Sequence, residues 1–203
     1  MKHTKLIWGL LAVFFFLAPV SVWPTERTAK YRIRVMGMNI GEFLVTQKTA
    51  KEEISIKAVT SVKVKIIFTY RINYIQETLH RNGSLCESHV QAIKDGKINS
   101  DALLKKQGGS YLLVKDGDST LIHDNICYSG SLLYFNEPSQ VSSMYKERTG
   151  EKSNMKCIAD HIYTMTNEKN HTTNEYEYKD GVLEHAALKH PLATIYLERI
   201  LNK

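Results

Sequence analysis

Residues Glu77–Ala102 read ETLHRNGSLCESHVQAIKDGKINSDA, with Asn82-Gly83 and Asp95-Gly96 bracketing a segment of strand length. Both dipeptides suit the positive φ angles of a two-residue hairpin turn, because glycine has no Cβ to clash there and Asn and Asp tolerate the left-handed region. The simplest reading of this stretch is three neighbouring antiparallel strands.

The same pattern extends in both directions. Upstream, Tyr31, Ile33 and Val35 alternate with Lys30, Arg32 and Arg34, as a half-buried strand requires. Gly37 to Gly41 turns the chain into a strand over Ile40–Gln47. Ile54, Ile56 and Ala58 mark a third strand, and Val62, Val64, Ile66 and Phe68 a fourth. Downstream, Gly108-Gly109, Asp116-Gly117, Thr149-Gly150 and Asp180-Gly181 punctuate further alternating segments, among them Leu103–Gln107, Tyr111–Lys115, Val141–Glu147 and Lys152–Ile158. Asp124–Gln140 breaks the rhythm, and Gly130–Phe135 within it reads as a helical turn or an irregular connection packed over the sheet. Residues 192–201 fit either a helical stripe or a strand; Pro191 forbids one continuous helix from Val182, and a final strand is the expectation. About a dozen short strands with regular turns specify an all-β single domain. Short connections favour sequential neighbours, hence an antiparallel meander forming a curved sheet or a partly or fully closed β-barrel.

The N-terminus is of a different kind. Lys2, His3 and Lys5 precede an apolar run from Leu6 to Leu17 interrupted only by Gly9, the layout of a signal helix for export. Ala18-Pro19-Val20-Ser21 offers small residues but no A-x-A triplet, so residues 1–23 are expected to be a signal peptide or, failing cleavage, an anchor, and residues 24–203 the β-rich domain. The expected location is therefore periplasmic or secreted, with membrane contact only through an uncleaved N-terminal segment. The net charge of +6 falls to +4 when the leader takes Lys2 and Lys5 away. No basic run is long enough to suggest nucleic acid as a partner.

Taken together, Tyr31, Gly37 and Gly41, then Glu77, Gly83-Ser84-Leu85 and Ser88, then Leu133–Pro138, Gly150-Glu151 and Tyr176-Glu177-Tyr178 with Gly181 and Leu183 form an ordered series. In order and spacing it resembles an exported β-rich bacterial family of unknown function, of the Bacteroidetes periplasmic type. The resemblance covers roughly Thr28 to Ile200. It implies a secreted or periplasmic β domain and brings no catalytic residues with it.

No constellation in the chain specifies a reaction. His123-x-x-x-Cys127 and Cys157-x-x-x-His161 hold zinc-type ligands, but four residues along a strand are about 13 Å apart, too far for either pair to chelate alone. Ser129-Gly130-Ser131 lacks the G-x-S-x-G elbow, and Cys127 with His123 or His161 lacks a third orienting group. Asp116, Asp118 and Asp124 read as turn residues, not a calcium loop, and no cofactor is expected. In an oxidising compartment Cys127 and Cys157 are the pair to test for a disulfide; otherwise Cys86, Cys127 and Cys157 are buried small hydrophobes. Lys30, Arg32 and Arg34, with Lys63 and Lys65, form basic strand faces that would combine into an anion-binding patch if the strands were adjacent.

Three functions follow as expectations. The first is a non-enzymatic envelope protein that binds a lipid or other hydrophobic ligand, or an envelope protein partner. The second is a structural or protein-interaction module without a small ligand, and the third an enzyme with an unfamiliar site.

Overall fold

The computed structural model describes residues 24–65 and 69–201; the expected signal helix lies outside these residues. The first half of the chain forms β1 (Thr25–Val35), β2 (Met38–Ala50), β3 (Glu53–Lys65), β4 (Thr69–Arg81), β5 (Ser84–Lys94), β6 (Lys97–Gln107), β7 (Ser110–Lys115) and β8 (Asp118–Ile122). After a connection containing a 3₁₀ turn (Gly130–Tyr134) come β9 (Ser143–Tyr145), β10 (Lys152–Ala159), β11 (Ile162–Asn167), β12 (Thr173–Lys179), β13 (Val182–Leu188) and β14 (Ile195–Arg199). All pair antiparallel in one 14-stranded sheet of order β8-β7-β6-β5-β4-β3-β2-β1-β14-β13-β12-β11-β10-β9.

The fold is thus all-β, as the alternation predicts, and the sheet curves without closing into a hydrogen-bonded barrel. Two meanders run in opposite directions from a central seam, where the first strand pairs with the last from Tyr31↔Arg199 to Val35↔Ile195. The ambiguous C-terminal segment is a strand because β1 offers it an open edge. Three sequence boundaries differ. The expected third and fourth strands are one, β3, since nothing between Ala58 and Val62 turns the chain. Leu103–Gln107 is the second half of β6. Val141–Glu147 shrinks to the three residues of β9, because Lys146 and Thr149 already belong to a hydrogen-bonded turn.

Turn chemistry sets the hairpins. Asn82-Gly83 has φ of 52° and 70°, Asp95-Gly96 48° and 83°, and Asp180-Gly181 53° and 71°, consecutive left-handed residues that match the twist of the strands they join. One irregularity matters for the interior. Leu79 pairs with Glu87 but His80 with Leu85, so Cys86 is the extra residue of a β-bulge. The bulge lets both Leu85 and Ser88 point inward, opposite His80 and Thr78, all four buried.

The concave face holds two apolar clusters. Ala29, Tyr31, Ile33, Phe43, Val45 and Ile56 meet Tyr163, Met165, Tyr176, Tyr178, Leu183 and Leu197 across the fold of the sheet. Leu85, Ala102, Leu104, Tyr111 and Leu113 form the second cluster. The connection between β8 and β9 lines the inside. Ile126 fills the second cluster, while Leu132, Leu133 and Phe135 enter the first. Its backbone is tied to both walls: Leu85 N–H donates to Ile126 O at 2.8 Å and Tyr145 N–H to Tyr128 O at 3.1 Å. Each of these apolar side chains contributes about 1.5–3 kcal/mol on burial.

The convex face carries ion pairs between neighbouring strands, including Lys30–Glu42 (2.8 Å), Lys57–Glu77 (2.8 Å), Arg81–Glu53 (2.7 Å) and Lys105–Glu87 (3.0 Å). Exposed pairs add at most about 1 kcal/mol each, so they favour register and solubility more than stability.

Candidate functional site

Against the first apolar cluster the shell holds a cavity of about 220 Å³ that opens to solvent. One wall is β4, which contributes Gln76. The other is built from β11 to β14, with Met165, Asn174, Tyr176, Leu183, Leu188 and Leu197, and the 3₁₀ turn closes the inner end with Gly130, Leu133 and Tyr134. Met144 and the first residues after β9, Lys146, Glu147 and Arg148, complete the lining. Strand alternation explains the apolar part: Tyr176 and Leu183 are inward residues of a hairpin whose outward positions include Glu175 and His185.

The polar part comes from a turn. Lys146 C=O accepts from Thr149 N–H and Gly150 N–H, so three consecutive charged side chains are presented over a short arc. Glu147 is buried, and its Oε1 accepts from Ser131 N–H at 2.8 Å. A Cβ on Gly130 would stand 3.0 Å from the other oxygen of that carboxylate, so glycine permits the close approach. Lys146 Nζ lies 3.6 Å from Glu151. Arg148 is different. Its guanidinium sits 5.8 Å from the centre of the Tyr74 ring, and its Nε is buried with no hydrogen-bond partner. Asp116 is held below the usual carboxylate range mainly by the Asp101 N–H, with Arg148 the smallest of the influences on it.

Behind the cavity is a buried polar cluster. His80 Nε2 and Ser129 Oγ are 3.0 Å apart, Ser129 Oγ and Ser131 Oγ 3.2 Å, and Thr78 Oγ1 and Ser88 Oγ 2.8 Å. Burial pushes the His80 imidazole down to about 4, so it is neutral near pH 7, and its Nδ1 has no partner. A His–Ser pair of this kind resembles half of a nucleophilic triad. Ser129 has no exposed surface, however, and no carboxylate orients His80 from the far side. The pair fastens the inner connection to β4. Burial likewise raises the phenols of Tyr31, Tyr128, Tyr134, Tyr176 and Tyr178 well above the ordinary value. Tyr163, which donates to Glu137 at 2.8 Å, is raised to about 12, chiefly by desolvation.

The residues singled out in the sequence lie elsewhere. Cys86, Cys127 and Cys157 are free thiols. Cys127 Sγ accepts from Asn125 Nδ2 at 3.2 Å on the inner connection, whereas Cys157 Sγ lies 3.3 Å from Ala159 O on β10. Both are exposed: next to Cys127 it is Ile126 that takes the core position, and Cys157 lies in the exposed last part of β10. The basic residues are largely neutralised: Lys30 pairs with Glu42, and Arg32 and Arg34 share Glu198 at 3.8 and 3.0 Å. Lys63 stands opposite Arg71 on β4, and the Lys65 side chain is outside the described set. Among the described residues no group of three or more His, Cys, Asp or Glu is placed to hold a metal ion.

Sequence reasoning missed His80, Gln76 and Arg148. A clue existed in β4, where Tyr74, Gln76, Thr78 and His80 occupy one face and Ile75, Glu77 and Leu79 the other. Hydropathy favours the second set as the core face, yet the curved sheet turns the polar set inward.

With this geometry in hand, comparison with known proteins identifies the domain. The profile of a domain of unknown function, DUF6134, matches residues 31–200. The chain belongs to the DUF6134 family. The DUF6134 domain also resembles a crystal structure described as a beta-barrel-like protein of domain of unknown function DUF1849 from Brucella abortus. The TM-score is 0.58 with 6% identity, over 87% of this chain and 95% of that one. At that identity the likeness shows a shared fold and nothing further. No curated protein sequence matches the chain.

Proposed function

We propose that the DUF6134 domain is a non-enzymatic, exported envelope protein whose curved shell takes up a small hydrophobic ligand. The observation that supports this is the cavity: an opening of about 220 Å³ with leucine and methionine walls and a few polar groups among them. Small-molecule sites have this combination of apolar lining and sparse, convergent polar groups. The size suits a small ligand or the end of a longer chain. At about 30 Å³ per water-sized group the cavity holds roughly seven heavy atoms. Ser129 and His80 are buried, so that nucleophile–base pair is beyond the reach of a substrate.

The test is native mass spectrometry of the full chain, expressed with its own first 23 residues in an exporting host. A reproducible small adduct that denaturation removes is the expected result. A chain that emerges empty and takes up neither octanoate nor 1-octanol overturns the ligand reading. The second reading, a protein-interaction module, draws on β8, an edge strand whose first four residues are exposed and include Leu121.

A further inference from the structure

Resting on the ligand-binding reading, we infer that the ligand is an anionic amphiphile, a short or medium-chain carboxylate, whose head is held by Arg148 and whose tail lies on the leucine and methionine wall.

The argument starts with the accounting of charges around the cavity. Three charged side chains line it, and two already have partners: Glu147 receives Ser131 N–H, and Lys146 approaches Glu151 at 3.6 Å. Among the described residues Arg148 has neither a carboxylate within ion-pair distance nor a hydrogen-bond acceptor on its buried Nε. A buried guanidinium N–H without an acceptor is rare in folded proteins and is costly to keep. Stacking on Tyr74 holds the guanidinium plane in place but satisfies none of its donors. A planar fork of N–H groups fixed at a cavity mouth is a receptor for a planar, two-oxygen anion, since carboxylate can accept two parallel hydrogen bonds from it.

The rest of the lining selects what such an anion is attached to. Leu133, Met144, Met165, Leu183, Leu188 and Leu197 offer no polar atom apart from thioether sulfur, and methionine adapts to irregular apolar shapes. Polyhydroxylated acids such as sugar acids would leave hydroxyls unsatisfied against this wall. Gln76 and Asn174 lie on opposite sides of the cavity, on β4 and β12. Gln76 Nε2 already donates to Thr78 Oγ1 at 3.1 Å and Asn174 Nδ2 to Tyr176 Oη at 3.5 Å, which leaves Arg148 as the donor to the head. Glu147 opposes an anion electrostatically, but its Oε1 is turned to Ser131 N–H at the inner end. This places the head at the Arg148 side and the tail toward Leu183 and Leu197.

Isothermal titration calorimetry at pH 7 with octanoate and 1-octanol, which share a chain and differ in the head, tests this on the full-length protein. Octanoate should bind roughly tenfold or more tightly than 1-octanol, the usual advantage of a charge-assisted hydrogen bond. Arg148→Met should remove that preference by weakening octanoate binding, while Lys146→Gln should have a smaller effect. Equal affinities for both probes, with Arg148→Met altering neither, would overturn the anionic head and leave the hydrophobic-ligand reading standing. Binding of neither probe would remove both. If circular dichroism shows Arg148→Met to be unfolded, the preference of the unaltered protein decides alone, and Arg148→Lys, which keeps the charge but loses the fork, should retain only part of it.

Discussion

His80 is 2% exposed, and among the described residues the hydroxyl of Ser129 is the hydrogen-bond partner of its imidazole. Because burial holds the folded imidazole near 4, below its ordinary value of 6.5, the unfolded chain binds the proton first as pH falls. Stability from this group is complete above about pH 6.5 and declines down to about pH 4, by roughly 3 kcal/mol at the limit. Urea unfolding between pH 7 and 4 should show that decline, and His80→Gln should flatten it; equal slopes in both proteins would refute the assignment. At Gly41 the constraint is steric. A Cβ there would stand 2.2 Å from Ser61 O on β3, inside any permissible contact. Gly41→Ala should therefore cost roughly 3 kcal/mol by forcing β2 and β3 apart, whereas Gly109→Ala, with open space around it, should change the urea midpoint little. The thiols report on faces: iodoacetamide should modify Cys127 and Cys157 quickly and the half-buried Cys86 slowly, as read by intact mass.

Among the elements, the inner connection does most to join the two meanders. Ile126 has no exposed surface and packs among Leu85, Leu104, Tyr111 and Leu113. Ile126→Ala should destabilise the protein by about 2–5 kcal/mol, while Leu121→Ala on exposed β8 should stay within about 0.5 kcal/mol. Equal effects in denaturant titrations would mean that the connection is only draped over the sheet. The hairpins behave more locally, since each X-Gly turn satisfies its own backbone geometry. For this reason the turn positions were legible in the sequence, while the path of 123–142 was not: several of its contacts are distant in sequence, including Ser129 with His80, 49 positions apart, and Asn136 with Gln47 at 2.9 Å, 89 positions apart.

At the scale of the molecule, the seam between β1 and β14 joins residues far apart in sequence; Arg34 and Glu198, 164 positions apart, are 3.0 Å from one another. Neither meander can complete the first apolar cluster alone, since Tyr31 of β1 donates its hydroxyl to Leu183 O and packs with β13. Removing residues 195–203 should therefore abolish cooperative unfolding of the whole shell, seen as loss of a sigmoidal thermal transition by circular dichroism. Folding should also be slow for a chain of this size, because the seam is a non-local pairing that forms only after its loop entropy is paid.

Local chemistry in the sequence determined the strands, the hairpin turns, their antiparallel neighbours and the all-β class. Each depends on φ preferences and on period-two alternation within a few residues. It also marked Asp124–Gln140 as the segment where alternation fails, and left open whether Gly130–Phe135 was a helical turn or an irregular connection; it holds the 3₁₀ turn. Only the tertiary structure decided three further things: that the two chain ends meet in one sheet, that the polar face of β4 turns inward, and that Arg148 stands at a cavity without a partner. Alternation separates two faces of a strand but does not say which is concave. That choice depends on curvature summed over all fourteen strands and on which apolar groups the inner connection brings to meet them.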